Sequence, residues 1–419
     1  MPKDRSEPDL DRRRFLISST AATLGLGVLD LGGQAWAAPT PPQIRRFRRL
    51  GRTGLEVSDI SFGSSRTTDP DLVRYALERG VNYFDTAENY EDGRSEETLG
   101  EALRGQRDRV LLASKVKTGA NTPRAEIMKG LEGSLRRLRT DRIDVYFNHA
   151  VNDVARLENA EWFEFADRAK EQGKIRFTGM SGHGGKLVEC LDYALDNDLV
   201  DVILCGYNFG QDPSFHQRFT ARLDWVAVQP DLPRVLEKAL GKGVGVIAMR
   251  TLRGARLTDM RPYEQGGATF AQAAFRWVLS NPNVDALVIS MTSREKIDEF
   301  VAASGGAEPD GASLDLLGGY LLSSKDGYCN HGCDACEASC PQGVPVSEVL
   351  RTRMYATDYG DLDYAKREYA KLAVDAASCL SCSLRSCLGK CPQGLEISRL
   401  TRTAQELLGA PSQPAVLTG

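Results

Sequence analysis

Several things are scarce in this chain of 419 residues, and each scarcity narrows what it can be. Positive charge is not in surplus. There are 53 lysines and arginines against 57 aspartates and glutamates, a net charge of −4, which speaks against a nucleic-acid partner. No apolar run reaches the roughly 20 residues that a spanning helix needs. The stretch from Leu16 to Leu31 is Gly-rich and carries Asp30, so no stable membrane span is expected. There is no long repeat and no low-complexity tract. Cysteine is nearly missing from the first 328 residues, where only Cys190 and Cys205 occur, on a predicted helix and in a predicted strand. Both are expected to be buried as small apolar residues. Apolar content of 42% and charged content of 26% are those of an ordinary globular protein, long enough for a barrel plus an accessory module.

The beginning of the chain predicts export. Asp11-Arg12-Arg13-Arg14-Phe15-Leu16 resembles a twin-arginine motif, with Arg12 and Arg13 as the pair. The mildly apolar stretch follows, then Ala35-Trp36-Ala37 with small residues flanking a cleavage point, then a Pro-rich segment. A signal peptide over residues 1–37, cleaved after Ala37, would make the mature protein periplasmic or otherwise exported.

The end of the chain holds eight of its ten cysteines, in two tight groups that each close with Cys-Pro. The first is Cys329, Cys333, Cys336 and Cys340; the second is Cys379, Cys382, Cys387 and Cys391. Four thiolates within a dozen or so residues, the last followed by proline, is how a chain wraps an iron–sulfur cluster, so two 4Fe–4S clusters and one-electron chemistry are expected. Structural zinc and disulfides are the rivals. Zinc ribbons split their cysteines into pairs about 15–20 residues apart, and disulfide frameworks spread them through a small fold. The address agrees with clusters. The twin-arginine route is understood to carry folded proteins, and a metal site exists only in the folded state.

Between the two ends, short apolar runs alternate with amphipathic ones. Strands are predicted at Val57–Phe62, Val81–Asp85, Val110–Ser114, Ile143–Asn148, Ile175–Met180, Val202–Tyr207, Gly245–Met249 and Ala286–Ser290. Helical stretches lie between them, several ending at glycine, as at Arg79-Gly80, Gln172-Gly173 and Leu240-Gly241. Eight such units predict an α/β fold, a (β/α)8 TIM barrel over residues 38–303, with the working residues at the C-terminal ends of the strands. Residues 304–326, rich in Gly, Ala, Ser and Asp, are expected to be a linker with one short helix. A small α-rich iron–sulfur domain over 327–408 follows, with Val346–Leu372 at helical spacing beside the clusters.

The barrel segment resembles the aldo-keto reductase family. The match runs through Arg49-Leu50-Gly51-Arg52-Thr53-Gly54, then Phe84-Asp85-Thr86-Ala87-Glu88-Asn89-Tyr90 with Ser95-Glu96-Glu97. It continues through Ser134-Leu135-Arg136-Arg137-Leu138, Ile143-Asp144-Val145-Tyr146, Gly173-Lys174-Ile175-Arg176 and Ala273-Ala274-Phe275-Arg276-Trp277. The resemblance covers roughly residues 45–301 and implies a catalytic tetrad of Asp85, Tyr90, Lys115 and His149. Its chemistry is coherent. A phenol of pKa about 10 is a poor acid–base group near neutrality, and a buried ammonium beside it would bring it into range. Asp85 would hold Lys115 charged, and His149 would orient the substrate oxygen. His183 is a candidate pocket residue, His216 a surface one, and His331 a donor near the first cysteine group rather than a ligand.

The resemblance also implies an NADP(H) site built from Ser181, Met249, Arg250, Ser290 and Arg294. Here the chain departs from the family pattern. Leu204 stands where a Gln usually holds the carboxamide, Gly182 where an Asn often follows Ser181, and Met249 where a ring commonly stacks. Arg294 and Lys296 could meet a phosphate or could be solvated first-turn residues. No flavin motif is present to link a hydride carrier to one-electron clusters, so the clusters could not easily recharge a trapped nicotinamide.

The cysteine spacing resembles that of bacterial two-cluster ferredoxins, with one gap enlarged in each group. In those ferredoxins the fourth cysteine of each run ligates the other cluster. That implies Cys329, Cys333, Cys336 and Cys391 on one cluster and Cys379, Cys382, Cys387 and Cys340 on the other, pairing within each group being the fallback. A barrel of this type joined to a ferredoxin-like module is a recognisable subgroup of the family. The expected function is an exported oxidoreductase that acts on a small carbonyl or alcohol and exchanges electrons with a redox partner protein. The alternative is a periplasmic electron-transfer partner whose barrel is a scaffold and does not use nicotinamide.

Overall fold

The computed structural model describes residues 40–215, 229–253, 261, 264, 267–323, 329, 333–358 and 360–409. The export signal with Ala37, and the histidines His216 and His331, lie outside them. The chain opens with a hairpin, β1 (Phe47–Arg49) and β2 (Glu56–Ser58), paired antiparallel. Eight parallel strands then close into a barrel: β3 (Ile60–Gly63), β4 (Tyr83–Asp85), β5 (Leu111–Val116), β6 (Ile143–Asn148), β7 (Ile175–Gly182), β8 (Val202–Gly206), β9 (Gly245–Met249) and β10 (Ala286–Ser290), which returns to β3. The helices between them are α1 (Pro70–Glu78), α2 (Arg94–Ala102), α3 (Arg124–Leu138), α4 (Ala160–Glu171), α5 (Leu187–Asp196), α6 (Leu232–Gly241) and α7 (Phe270–Ser280), with α8 (Arg294–Val301) after β10.

The strand predicted at Val57–Phe62 is two strands. Asp59 interrupts it, buried, accepting from the Ser304 hydroxyl at 2.6 Å and the Gly305 N–H at 2.8 Å. Its N–H donates to the Arg46 carbonyl of the hairpin side at 3.1 Å and its carbonyl accepts from Leu287 of the barrel at 2.9 Å, so the chain passes there from hairpin to barrel. The hairpin seals the barrel floor. Leu50, Leu55 and Val57 join the inward-facing Tyr83, Val145, Phe147, Leu204 and Ile247 in one apolar cluster. Gly51, at φ 46°, presses on the floor so closely that a Cβ there would lie 2.3 Å from the Gly245 nitrogen.

The linker expected at 304–326 is largely a helix, α9 (Gly311–Ser323). Its Leu314, Leu317, Tyr320 and Leu321 are buried against Phe209, Phe215 and Phe270 of the barrel side. Its small-residue composition suggests a free connection, but leucines at helical spacing find an apolar face to cover. The predicted helical stretch Val346–Leu372 is two helices, α10 (Val346–Thr357) and α11 (Leu362–Ala370), separated by Gly360 in the left-handed region (φ 68°) and capped at Asp361. With α12 (Ile397–Leu408) they enclose a second core of Val344, Val349, Ala365, Tyr369, Ile397 and Ala404, on which most of the cysteines pack. Barrel and tail belong to one compact unit. Among the described residues no helix is long and apolar enough to cross a membrane.

Candidate active site

The C-terminal ends of three adjacent strands deliver three of the four tetrad residues. Asp85 ends β4, Lys115 lies near the end of β5, and His149 follows β6, where its N–H donates to the Val116 carbonyl at 2.9 Å. Lys115 is 1% exposed, and its Nζ donates to Asp85 Oδ1 and to the Thr86 carbonyl, each at 2.6 Å. The same ammonium lies 4.8 Å from the centre of the Tyr90 ring. The Tyr90 and His149 rings meet edge to face, with centroids 5.6 Å apart. The four residues predicted from sequence therefore converge on one point at the barrel mouth.

Electrostatics sorts them. Burial opposes the Lys115 charge, but Asp85 and Tyr90 outweigh it and raise its pKa, so the ammonium persists. Burial likewise raises Asp85, with Lys115 opposing. Burial also raises Tyr90, and Lys115 pulls it back only in part. This corrects the expectation that the ammonium brings the phenol into range: in the closed site desolvation wins, and Tyr90 is held as a protonated acid. His149 is pushed well down, first by burial and then by Lys115, and so is neutral. Its buried Nδ1 and the buried Asp85 Oδ2 have no protein partner.

The family-like residues around the tetrad hold the frame. Ser95 exchanges hydrogen bonds with the hydroxyls of Ser64 (2.6 Å) and Thr86 (2.8 Å). Glu96, fully buried, accepts from Ser114 at 2.5 Å and from Arg137 Nε at 2.7 Å. Asp144 gathers Arg107 at 2.8 Å and Arg176 at 2.9 Å, which accounts for the arginine of Gly173-Lys174-Ile175-Arg176.

The mouth opens into a cavity of about 1450 Å³ whose walls come from both the barrel and the tail. Ser181, Met249, Arg250 and Ser290 line it, and so do Leu204 and Lys296. Ser181 Oγ accepts from the Ala150 N–H at 2.9 Å, and Ser290 pairs with the Ser65 hydroxyl at 2.8 Å. Arg250 reaches His183 Nε2 at 3.1 Å. His183 lines the same cavity and is pushed down to about 3 by burial and by Arg250. Arg294 is not among the residues that line the cavity, and its guanidinium lies 5.1 Å from the Tyr75 ring centre. Lys296 pairs with Glu299 at 2.7 Å. Gly182 also has a physical reason. A Cβ there would meet Leu187 and the Val151 carbonyl at 2.9 Å, so the Asn that often follows the serine has no room.

Sequence reasoning missed the roof. Helix α10 sends Glu348, Arg351 and Tyr355 into the cavity. Arg351 donates to Glu348 at 2.8 Å and to the Tyr355 hydroxyl at 2.9 Å. Burial alone would raise Glu348, but Arg351, with His183 and Arg250, pulls it down to about 2. The signal was present: Glu348, Arg351 and Tyr355 are three and four residues apart, one helical stripe that is polar where an apolar one would be expected.

The turn after Tyr90 is unusual. Glu91 and Asp92 have φ of 49° and 58°, and Gly93 follows at 90°. Left-handed backbone at a non-glycine residue costs about 1–2 kcal/mol each, so something must hold it.

The cysteines fall into two sets by proximity. Cys391 lies close enough to act electrostatically on both Cys333 and Cys336. Cys340 acts in the same way on Cys379 and Cys387, with Cys382 beside them. The fourth cysteine of each run thus sits with the other group. Among the described residues none of the eight is joined in a disulfide, and Ser386 Oγ ties the two runs by donating to the Ser339 carbonyl at 2.6 Å. Among the described residues no His, Cys, Asp and Glu converge tightly enough to chelate a single metal ion. Cys329 lines the active-site cavity.

An eight-stranded parallel barrel carries a buried Lys–Asp pair, a phenol and a neutral imidazole at its mouth, groups that can hold and move a proton. Residues 60–265 match the model of the Aldo/keto reductase family. L-galactose dehydrogenase of Arabidopsis thaliana is 27% identical over 312 residues, covering 65% of this chain and 92% of that protein. A probable voltage-gated potassium channel subunit beta of Oryza sativa subsp. japonica is 28% identical over 299 residues, 62% of this chain and 90% of that one. An aldo-keto reductase structure from Bacillus halodurans, in its holo form, superposes with a TM-score of 0.52 at 22% identity, covering 65% of this chain and 95% of its own, a likeness of fold. The barrel is similar in sequence and fold to aldo/keto reductases, and the family model covers just under half of the chain. The family match ends before the cysteine groups begin.

Proposed function

We propose that this protein is an exported aldo-keto reductase-type enzyme that reduces a small carbonyl compound, or oxidises the matching alcohol, with Tyr90 as general acid or base and two 4Fe–4S clusters in its tail. The observation that carries the reading is the buried Lys115 ammonium, fixed between Asp85 at 2.6 Å and the Tyr90 ring at 4.8 Å. A carbonyl oxygen seated between Tyr90 and His149 would accept hydrogen bonds from both. Tyr90 Oη would give up its proton as negative charge builds on that oxygen, and Lys115 would stabilise the phenolate left behind. With its pKa raised, Tyr90 carries its proton near neutrality, the form that donates to a carbonyl oxygen.

NADP(H), when bound, supplies the hydride. The residues that would hold it are Ser181, Met249, Arg250 and Ser290 along the cavity wall, with Lys296 at the phosphate end. Leu204 and the closed space at Gly182 mean that its amide would be held less firmly than the family pattern suggests. The thiols support the cluster reading. The crossed grouping, with the fourth cysteine of each run beside the other run, suits cubanes whose four irons each take one thiolate. Cys329, Cys333, Cys336 and Cys391 would hold one cluster and Cys340, Cys379, Cys382 and Cys387 the other, supplying one-electron chemistry and an outlet to a redox partner. The twin-arginine motif, with cleavage after Ala37, supports export of the folded enzyme.

The test is anaerobic purification with iron and sulfide analysis, electron paramagnetic resonance after reduction, and NADPH-dependent turnover of small aldehydes. Eight irons per chain and turnover lost in Tyr90→Phe are expected. A colourless, iron-free protein would overturn the cluster assignment, and an active Tyr90→Phe variant would overturn the acid–base one.

A further inference from the structure

We propose that helix α11 of the C-terminal module is a positioning element for Tyr90, so that the barrel's chemistry depends on the tail being docked. The inference rests on the assignment of Tyr90 as the acid–base group. The turn that carries Tyr90 runs through three successive left-handed residues, Glu91, Asp92 and Gly93. Backbone of this kind persists only where its surroundings over-determine it. Within the barrel, Arg94 contributes by donating from Nη2 to Glu91 Oε2 at 3.0 Å and from Nε to the Glu91 carbonyl at 3.1 Å. The Arg94 N–H also donates to the Glu91 and Tyr90 carbonyls, and further ties come from α11. Arg367 brings a second guanidinium to the same Glu91 oxygen at 3.6 Å, and Lys371, the C-cap of α11, pairs with Asp92 at 3.2 Å. Glu91's side chain is 9% exposed, so its charge is poorly served by water and needs these cations. The Lys371–Asp92 pair is more open and contributes less.

The other end of α11 is fixed as well. Asp361, its N-cap, receives the Tyr364 N–H at 3.0 Å on one oxygen and Arg66 of the barrel at 2.9 Å on the other. Arg66 in turn lies over the rings of Tyr364 (5.3 Å) and Tyr355 (5.9 Å). One short helix is therefore pinned to the barrel at both ends, and its C-terminal half grips the residues directly after Tyr90. Loosening that grip lets the turn relax and moves the phenol away from Lys115, to which it must stay close.

The experiment uses the full chain with Arg367→Ala and Lys371→Ala combined. Hydrogen exchange followed by mass spectrometry should show peptides across residues 86–96 exchanging about tenfold faster, while peptides across α10 keep their protection. In NADPH-dependent aldehyde reduction, kcat should fall about tenfold with KM little changed, as expected when a reacting group is misplaced while substrate binding is intact. The charge-conserving Arg367→Lys, Lys371→Arg variant should recover both readouts. Parent-like exchange in the turn, or a fall in kcat that charge conservation does not restore, would overturn the proposal. A fully active Tyr90→Phe variant alongside faster exchange would leave the clamp standing and remove the acid–base assignment instead.

Discussion

The two ends of the barrel are closed in opposite ways. The floor is sealed by a hairpin whose Leu50, Leu55 and Val57 fill the space between strands, and Leu50 and Val57 are fully buried. The roof is the C-terminal helical segment, which meets the mouth through Glu348, Arg351 and Tyr355 and is pinned by Arg66–Asp361, Arg367–Glu91 and Lys371–Asp92. Apolar burial is non-directional and strong for its size, which suits an end that only has to stay shut. Charged contacts are weaker but specify geometry, which suits an end where a phenol, an ammonium and an imidazole must keep fixed places.

The contrast can be tested at both ends. The largest effect is expected at the mouth: Tyr90→Phe should lower kcat by about 10²–10⁴-fold with unchanged circular dichroism, since a general acid contributes on that scale. At the floor, Leu50→Ala should reduce unfolding free energy by about 2–5 kcal/mol in urea titrations and leave KM alone; a large KM effect there would erase the distinction between the two ends. A smaller effect concerns pH. His183 titrates at about 3 in the folded protein and near 6.5 when unfolded. Below pH 6.5 the unfolded chain takes up a proton that the folded one refuses, so stability should fall as pH drops from 6.5 toward 3. The slope has a ceiling of about 1.4 kcal/mol per pH unit, and partial exposure of the ring keeps it lower. His183→Gln should flatten that slope, as read from melting temperatures across the range. The smallest effect is Arg66→Ala, expected to cost about 1 kcal/mol, because an ion pair with partners 26% and 39% exposed is screened.

The barrel was legible because parallel strands buried on both faces read as short apolar runs, and the predicted strands at Ile143–Asn148, Gly245–Met249 and Ala286–Ser290 coincide with those observed. The break at Asp59 was not, because it depends on Ser304 and Gly305, which lie 245 and 246 residues further along the chain. Of the candidate site, Asp85, Tyr90, Lys115 and His149 could be placed together through the resemblance to aldo-keto reductases, with which their positions at or after strand ends are consistent. Arg294 could not be judged, since only the fold reveals that Tyr75 lies beneath its guanidinium. The roof escaped notice for a related reason. Arg351 and Glu348 look like an exposed helical ion pair three residues apart until a barrel mouth is set against them.

The cavity wall extends to Leu400, in the final helix. A ribosome delivers the tetrad residues well before the ceiling above them. A growing chain would thus own its reactive groups for a time without an enclosure for them, and the enclosed site would arise only once α12 had emerged.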